Sequence, residues 1–314
     1  MSDDLILGVD GGGTKTVAWI APADDSQNVL GRGVSGPSNW QVVGEEAAKD
    51  HLRRAIEASR ADSGLPRRQF AAACIGLAGA DREADQKMIR QWAVQQRLTD
   101  RLLVVNDALP VLYAATGSGC GVALISGTGS FALGRREDGA TVRVGGWGYL
   151  LGDEGSAYAI ALDGLRAAAK SADGRGPATN LLESLLAALG RKRPEDLIPA
   201  TYDAAMTRSR IAALCPLVFK SQQSGDSVAD QIIANAANCL AQMVAAVAAR
   251  LQYTPDSFPL ALAGGVLLHH RELRNRLQSA LRNLRVSADP VVAIPEPVRG
   301  ALVMSQRAAS RAVS

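Results

Sequence analysis

Short apolar runs alternate with segments of helical periodicity along the first third of the chain. In order, they predict strands at residues 5–9, 16–21 and 28–31, a helix at 45–59, a strand at 71–77, a helix at 82–96 and a strand at 102–105. The last strand is a continuous apolar run that ends in Asn106 and Asp107, as a central parallel strand would. Strands interleaved with amphipathic helices predict an α/β unit with a mixed sheet.

The same beginning is repeated after a glycine-rich step at residues 117–119. Three strands are again predicted, at residues 122–125, 131–134 and 141–144. The segments that follow are predicted helices at residues 155–169, 179–189, 203–219 and 227–252, a strand at 259–263, a basic helix, a strand at 291–294 and a final helix opened by Pro297. A repeated beginning within 314 residues predicts two related α/β domains.

Each repeat contains a glycine turn between its first two strands. The first glycine turn is Gly-Gly-Gly-Thr-Lys at residues 11–15, and the second is Gly-Thr-Gly at residues 127–129. The first fits neither common phosphate motif, because Lys15 lies one position too far from Gly13 for a P-loop and Thr16 stands where the dinucleotide fingerprint needs glycine. One such loop alone is more often an ordinary β-hairpin. Two in matching contexts favour nests of backbone N–H groups that bind phosphate.

Three aspartates lie beside these turns, at a strand end or in a glycine-rich loop. Asp10 ends the first strand, where it is well placed to hold a hydrated Mg²⁺ on a triphosphate. Asp107 ends a buried strand, at the edge where open α/β sheets bind ligands, and Asp153 lies in a loop whose glycines let backbone approach a ligand closely. Each alone fits a turn or a helix N-cap, Asp153 most clearly. Together with two phosphate turns they favour phosphoryl transfer, with a carboxylate as base for an acceptor hydroxyl.

Composition and charge exclude several classes of protein. A hydrophobic content of 47%, a charged content of 21% and a net charge of +3 with scattered basic residues predict a globular protein with no nucleic-acid partner. Five arginines between positions 271 and 285 predict a solvated helix face. No signal-peptide pattern begins the chain, and the apolar stretch at residues 240–249 is too short to span a bilayer, so a cytoplasmic protein without a membrane partner is expected. The four cysteines and three histidines lack metal-ligand spacing, and no zinc site is expected.

Nine short motifs, in order along the chain, carry a resemblance to a known family. They are Val-Asp-Gly-Gly-Gly-Thr-Lys-Thr (9–16), Ser-Gly-Pro-Ser-Asn-Trp (35–40), Gly-Leu-Ala-Gly-Ala (76–80), Asn-Asp-Ala (106–108), Ile-Ser-Gly-Thr-Gly-Ser (125–130), Gly-Gly-Trp-Gly (145–148), Gly-Asp-Glu-Gly-Ser (152–156), Ala-Gly-Gly-Val (263–266) and Pro-Val-Arg-Gly-Ala (297–301). Together they resemble the N-acetylglucosamine kinases of the BadF/BadG/BcrA/BcrD ATPase group, in the actin/sugar kinase/heat-shock-70 superfamily. Each motif is weak alone, but their order and spacing are specific and extend over essentially the whole chain.

The resemblance implies the fold class and the domain boundaries. It implies an α/β protein with two ribonuclease-H-like (actin-like ATPase) domains around a nucleotide cleft. The N-terminal domain would comprise residues 1–117 plus 297–314, with the first glycine turn and Asp107. The C-terminal domain would comprise residues 118–296, with the second glycine turn and the adenosine site. A homodimer is expected.

The resemblance also implies the reaction and the residues that perform it. ATP would phosphorylate the 6-hydroxyl of N-acetyl-D-glucosamine, giving N-acetylglucosamine 6-phosphate and ADP, with Asp107 as general base and Asp10 organising Mg²⁺. The residues implied to bind ATP are Gly12, Gly13, Thr14, Lys15, Gly127, Thr128 and Gly129 at the phosphates and Gly264 and Gly265 near adenosine. The residues implied to line the sugar site are Asn39, Asp107, Ser130, Gly146, Trp147, Gly148 and Asp153.

Other functions remain open from the sequence. Glucosamine kinase would use the same chemistry, although the Gly-Trp-Gly and Gly-Asp-Glu-Gly-Ser motifs fit the acetylglucosamine kinases better. Trp40, directly after Asn39 where relatives vary, leaves the surroundings of the acyl group open. An ATP-driven reductase activator of the BadF type would hold an iron–sulfur cluster between subunits, but no cysteine pair is placed for one. An actin-like filament or chaperone would be expected to lack the set Asn39, Asp107 and Asp153.

Overall fold

The structure, a computed structural model, describes residues 4–80, 82–253 and 257–310. Its internal contacts divide the chain into two compact units, Met1–Ala123 with Ile294–Ser314, and Leu124–Ala293. Parts of the predicted domains, at residues 1–3, 81, 254–256 and 311–314, lie outside the described residues. Each unit is built on a five-stranded sheet.

The described residues form ten strands. They are β1 (Leu5–Gly11), β2 (Thr16–Pro22), β3 (Gly31–Ser35), β4 (Ala72–Leu77), β5 (Leu102–Asn106), β6 (Gly121–Ser126), β7 (Ser130–Arg135), β8 (Thr141–Gly145), β9 (Phe258–Ala263) and β10 (Ala288–Ala293). The first sheet has the order β3-β2-β1-β4-β5, with β1–β2 and β2–β3 antiparallel and β1–β4 and β4–β5 parallel. The second has the order β10-β9-β6-β7-β8, with β7–β8 antiparallel and β9–β10 parallel. Both sheets are therefore mixed.

Thirteen α-helices accompany these strands in the described part of the chain. They are α1 (Trp40–Val43), α2 (Glu45–Ser63), α3 (Glu83–Gln95), α4 (Ala108–Thr116), α5 (Ala157–Ala172), α6 (Leu181–Ala188), α7 (Leu197–Tyr202), α8 (Arg208–Ala212), α9 (Cys215–Gln223), α10 (Ser227–Arg250), α11 (Gly265–His269), α12 (Arg271–Asn283) and α13 (Val298–Ser310). The predicted α/β class is confirmed.

In the first unit, helices cover both faces of the sheet. On one face, Leu52 of α2 and Ile89 of α3 share a buried core cluster with Leu7 of β1. On the other face, Leu302 of α13 packs in a cluster with Ile6. Strand β1 is buried from both sides, which explains why its sequence is apolar almost throughout and not alternating.

In the second unit, α10 is the central helix and contacts α5, α9, α12, β7 and β8. By length and composition it could cross a membrane, unlike the shorter apolar stretch considered from sequence, and 56% of its most apolar window is buried inside the structure. Ile233, Leu240 and Val247 are among its buried residues. This burial is the pattern of a core helix.

The helix predicted at residues 203–219 is wrong, because the chain forms α8 and α9 instead. Thr207 is the N-cap of α8, and its Oγ1 accepts a hydrogen bond from the N–H of Arg210 at 3.4 Å. Pro216 lies in the first turn of α9. Since proline has no N–H to donate, it is tolerated there but could not continue a longer helix.

Two differences in the first unit have local causes. The strand predicted at residues 28–31 is β3, which begins at Gly31 and lies close to α2; a Cβ at Gly31 would be 2.2 Å from the carbonyl oxygen of Ser59. Helix α4 is absent from the predicted elements because it follows β5 after a single residue and contains Pro110. Proline is tolerated in the first turn of a helix, and Pro110 lies there.

Two of the five arginines predicted on a solvated face bond to neighbouring helices. Arg274 donates from Nη1 to the carbonyl oxygens of Leu267 and Leu268, at 2.5 and 2.9 Å. Arg276 forms an ion pair with Asp230. The solvated-face prediction is wrong for these two, because α11 supplies carbonyl acceptors and α10 supplies a carboxylate.

We predict that Gly300→Ala destabilises the protein, although alanine favours helices. Gly300 lies in α13, and a Cβ there would be 1.8 Å from the carbonyl oxygen of Pro110 in α4. Helix propensity alone would stabilise the variant by about 1 kcal/mol. Overpacking is expected to outweigh this and to lower the free energy of unfolding by about 2 kcal/mol, measured by denaturant titration.

Gly164→Ala is the matched control. That glycine also lies inside a helix, but its Cβ would meet only the Cγ2 methyl group of Val218, at 3.0 Å. A Gly300→Ala protein as stable as the Gly164→Ala protein would contradict the prediction.

Candidate active site

The first glycine turn joins β1 to β2. The N–H of Gly12 donates to the carbonyl oxygen of Lys15 at 2.9 Å, which closes the turn. A Cβ at Gly13 would meet nothing within 4 Å, and Thr14 and Lys15 are exposed. The tip of the turn therefore presents backbone groups to solvent, as an anion-binding nest does.

Asn39 is fixed to the base of this turn. The carbonyl oxygen of Gly12 accepts hydrogen bonds from the N–H groups of Ser38 and Asn39, at 3.1 and 3.3 Å. Gly11 permits this approach, because a Cβ there would lie 2.2 Å from Ser38 Oγ. Asn39 is also the N-cap of α1, and its Oδ1 accepts from the N–H of Gln41 at 3.1 Å. A predicted sugar-binding residue thus lies directly beside a predicted phosphate turn.

Strand register places Asp107 at the same edge of the sheet as this turn. Gly11 in β1 pairs with Leu77 in β4, and Leu77 pairs with Asn106 in β5. Since adjacent strands are about 4.8 Å apart, β5 ends about 10 Å from β1 along this edge. The half-buried Asp107 precedes α4 without capping it, because the Oδ1 of Asn106 instead accepts from the N–H of Ala108 at 2.8 Å. Helix capping therefore does not account for Asp107.

Asp10 is half-buried at the end of β1. Burial raises the pKa of Asp10 to about 6, and the charge of Lys15 opposes part of that rise. A poorly solvated carboxylate gains from a cation beside it. In the described ranges, no three His, Cys, Asp or Glu side chains are grouped to hold a metal ion. A lone carboxylate nevertheless fits Mg²⁺, which takes one or two protein ligands when phosphate and water supply the others.

In the second unit, the second glycine turn joins β6 to β7. The N–H of Gly127 donates to the carbonyl oxygen of Gly129 at 2.9 Å, and the carbonyl of Gly127 accepts from Ala157, at the start of α5, at 2.8 Å. Gly264 lies directly below: its φ is +89°, and a Cβ there would be 2.3 Å from the carbonyl oxygen of Ser126. The predicted phosphate and adenosine residues of this unit are therefore neighbours.

The segment of residues 145–155, here called the tryptophan loop, connects β8 to α5. Its first glycines adopt positive φ, which favours glycine, at Gly145, Gly146 and Gly148. The N–H of Gly146 donates to the carbonyl oxygen of Ser130 at 3.1 Å, and Arg143 Nη2 donates to the carbonyl of Gly146, also at 3.1 Å. Trp147 is 74% exposed. The backbone of the loop is anchored, whereas its indole ring extends into solvent.

Asp153 is buried near the end of the tryptophan loop, with a side chain only 4% exposed and a φ of +65°. Its Oδ1 accepts from the N–H of Ser130 at 3.2 Å, and its Oδ2 pairs with Nη2 of Arg208 at 2.5 Å. The N-cap of α5 is Ser156, whose Oγ accepts from the N–H of Ala159 at 3.2 Å. Capping, the expected role of Asp153 taken alone, is therefore wrong, because an ion pair occupies the carboxylate.

The structure groups the predicted site residues within each unit. In the first unit, the carboxyl edge of the sheet holds Asp10, Gly12, Gly13, Thr14, Lys15, Asn39 and Asp107. In the second unit, the glycine turn and its surroundings hold Gly127, Thr128, Gly129, Ser130, Gly146, Trp147, Gly148, Asp153, Gly264 and Gly265. Ser130 is 1% exposed, and its hydroxyl donates to the carbonyl of Glu154 at 2.7 Å. A sugar contact by Ser130 stays a prediction.

The sequence analysis misses two polar residues beside these groups. Ser38 is fully buried, and its Oγ has no hydrogen-bond partner within the described residues. It adjoins Asn39 in the Ser-Gly-Pro-Ser-Asn motif, a signal that could have found it. Arg208 pairs with Asp153 across 55 positions of sequence, and no motif near it signals that contact.

Two sheet-centred units, each with a glycine turn between two of its strands, define a two-domain protein of the α/β class. The chain belongs to the BadF/BadG/BcrA/BcrD ATPase family, whose pattern matches residues 7–305. The family predicted from the nine motifs is confirmed.

Three relatives are similar over most of their length. The N-acetyl-D-glucosamine kinase of Dictyostelium discoideum is 33% identical over 317 residues, covering 97% of this chain and 98% of the relative. The N-acetylmuramic acid/N-acetylglucosamine kinase of Clostridium acetobutylicum is 37% identical over 262 residues, covering 83% and 85%. The crystal structure of a candidate N-acetylglucosamine kinase from Chromobacterium violaceum is 26% identical with a TM-score of 0.77, covering 96% and 98%. The chain is thus an N-acetylglucosamine kinase-like member of its ATPase family, as predicted.

We predict that Gly264→Ala destabilises the protein more than the neighbouring Gly265→Ala. The first change places a methyl group 2.3 Å from the backbone oxygen of Ser126 at a φ of +89°, whereas a Cβ at Gly265 would meet only His269 Cδ2, at 3.8 Å. The free energy of unfolding should fall by about 2 kcal/mol for Gly264→Ala. It should change by less than about 0.5 kcal/mol for Gly265→Ala. Equal denaturation midpoints for the two variants would refute this.

Proposed function

We propose that the protein uses ATP to phosphorylate the 6-hydroxyl of N-acetyl-D-glucosamine, giving N-acetylglucosamine 6-phosphate and ADP. The observation that carries the proposal is the position of Asp107, a half-buried carboxylate at the carboxyl edge of the sheet that also carries the first glycine turn. The side chain of Asn106, and not that of Asp107, accepts the hydrogen bond from the N–H of Ala108 at the start of α4. Membership of an ATPase family and two relatives named N-acetylglucosamine kinases, at 33% and 37% identity, support it.

Asp107 is the proposed general base. A carboxylate oxygen of Asp107 accepts the proton of the 6-hydroxyl, the sugar O6 forms a bond to the γ-phosphorus, and the bond from the γ-phosphorus to the bridging oxygen breaks, so that the oxygen leaves with ADP. A base must already accept a hydrogen bond from the hydroxyl that it activates, so Asp107 also orients the sugar. Positioning of this kind, with stabilisation of phosphate charge, supplies most of the catalysis in phosphoryl transfer.

The two glycine turns and Asp10 are assigned to the phosphate groups. Asp10 would hold Mg²⁺, which supplies positive charge to neutralise the phosphates when it is bound. The residues assigned to phosphate contacts are Gly12, Gly13, Thr14, Lys15, Gly127, Thr128 and Gly129. Gly264 and Gly265, which adjoin the second turn, are assigned to adenosine.

The sugar contacts are assigned to polar groups and to one exposed ring. Asn39 offers an amide beside the first glycine turn, and the carboxylate of Asp153 accepts hydrogen bonds from hydroxyls. The exposed ring of Trp147 offers an apolar face for the C–H groups of a pyranose. The assigned residues are Asn39, Asp107, Ser130, Gly146, Trp147, Gly148 and Asp153.

Three amino sugars are candidates for the acceptor, and N-acetylglucosamine is the one proposed. The relative from Clostridium acetobutylicum is named for N-acetylmuramic acid as well as N-acetylglucosamine, which makes N-acetylmuramic acid a second candidate acceptor. Glucosamine remains the alternative from sequence. A homodimer, which the resemblance implies, and a cytoplasmic location are also proposed.

We predict that the purified protein phosphorylates N-acetylglucosamine with a kcat/KM about tenfold or more above that for glucosamine, since the site must distinguish an acetamide from an ammonium group. ADP release in a coupled assay gives the rates, and NMR of the product gives the phosphorylated position. N-acetylmuramic acid completes the panel. If no sugar in the panel is phosphorylated, the kinase proposal is refuted, and phosphorylation at another hydroxyl would refute the 6-position.

We predict that Asp107→Asn lowers kcat by about 10²–10⁴-fold, the usual contribution of a general base. The dissociation constant for N-acetylglucosamine, measured by calorimetry, should change by less than about tenfold because the amide still hydrogen-bonds the hydroxyl. Asp100→Asn is the control, since Asp100 is an exposed aspartate of the same unit. An Asp107→Asn protein as active as this control would remove Asp107 from the base role.

A further inference from the structure

Arg208, the first residue of α8, joins the tryptophan loop to the second glycine turn. Its Nη2 lies 2.5 Å from Oδ2 of Asp153 and 3.3 Å from the carbonyl oxygen of Thr128, the central residue of the turn. The side chain of Arg208 is 30% exposed and that of Asp153 is 4% exposed. One nitrogen atom therefore contacts both a predicted sugar-binding residue and a predicted phosphate turn.

The surroundings enclose the guanidinium. Its Cζ lies 5.7 Å from the centroid of the Tyr149 ring, which meets the ring of Tyr158 edge to face at 5.4 Å. Gly129 leaves room for it, because a Cβ there would be 2.5 Å from Nη2. The Nε of Arg208 is buried and has no hydrogen-bond partner among the residues that the structure describes. The burial of the Asp153 carboxylate distinguishes this pair from the ion pairs of the helices, whose carboxylates are more exposed.

Other hydrogen bonds join the same segments, but they act on either side of the turn. The Oγ of Ser126 donates to the carbonyl of Gly155 at 2.8 Å, and the Oγ of Ser130 donates to the carbonyl of Glu154 at 2.7 Å. Ser126 ends β6 and Ser130 begins β7. Arg208 reaches the tip of the turn itself, at Thr128.

We propose that Arg208 is a positioning residue that holds the Asp153 carboxylate and the tip of the second glycine turn in one arrangement, so that sugar binding and nucleotide binding depend on the same guanidinium. The inference rests on the proposed function for the identity of the sugar. Nη2 carries two N–H groups whose directions are fixed by the plane of the guanidinium, one for each acceptor, whereas an ammonium is a compact point charge on a flexible stem. The Asp153 oxygens each accept more than one hydrogen bond, so the ion pair leaves acceptor capacity for sugar hydroxyls.

The test compares Arg208→Gln, Arg208→Lys and the control Arg210→Gln. Arg210 is an exposed residue of the same helix, so its variant loses the same charge. Arg208→Gln should raise the KM for N-acetylglucosamine and lower kcat, each by about tenfold, and should weaken binding of a non-hydrolysable ATP analogue by about fivefold. Arg208→Lys should recover part of the sugar KM but not the analogue affinity, because an ammonium at Asp153 does not also reach Thr128. Arg210→Gln should stay within about twofold of the wild type.

The inference is overturned if Arg208→Gln matches Arg210→Gln in sugar KM, kcat and analogue affinity. A lower melting temperature with unchanged kinetic constants would also overturn it, because the ion pair would then serve stability alone. If Arg208→Gln does not fold, the double variant Arg208→Gln/Asp153→Asn replaces it, since no buried charge is then left unpaired. The double variant should show the same loss of analogue affinity, and wild-type affinity in it would overturn the inference.

Failure of the proposed function would give a different result. A wild-type protein that phosphorylates no amino sugar would refute the kinase proposal. The role of Arg208 would still be decided by the analogue affinity of Arg208→Gln against Arg210→Gln, which needs no sugar.

Discussion

The structure depends on two glycines whose backbone lies closer to neighbouring atoms than any side chain at those positions would allow. At the base of the first glycine turn, a Cβ on Gly11 would lie 2.2 Å from Ser38 Oγ, and below the second turn a Cβ on Gly264 would lie 2.3 Å from the carbonyl oxygen of Ser126. Both approaches occur where a strand ends and its turn begins. The turns are therefore held at their bases by close packing, while Thr14 and Lys15 at the tip of the first turn remain exposed.

The three aspartates of the predicted site have different surroundings. At the helix that follows Asp107, the side chain of Asn106 accepts the hydrogen bond from the first N–H, and at the helix that follows Asp153, the side chain of Ser156 is the cap. Asp10 is left with little solvation, which raises the pKa of its carboxyl to about 6. Neither Asp107 nor Asp153 caps a helix through its side chain, and Asp153 pairs with Arg208 of its own unit. This division of environments is what a base, a metal ligand and a hydroxyl acceptor would each need.

Much of the fold follows from sequence because its signals are local. Apolar runs located most strands, and the glycine turns were visible as a repeat. The errors arise where local signals compete: α4 is hidden by Pro110, and the long helix at residues 203–219 is divided by Thr207 and Pro216. The site residues that lie within the nine motifs could be predicted from sequence, whereas those outside the motifs could not. Arg208 lies 55 positions from Asp153, and only the tertiary structure brings the two together.

Gly129 and Arg208 share one space, and this limits how the two positions can change in evolution. The volume that a methyl group would need at residue 129 is occupied by the guanidinium, 2.5 Å away. An alanine at 129 is therefore accessible only after the arginine has been lost or has moved, and the arginine can keep both of its acceptors only while 129 remains glycine. Relatives that keep the arginine should accordingly keep the glycine, which gives alignments of the family a sign to look for at position 208, a residue outside the nine motifs.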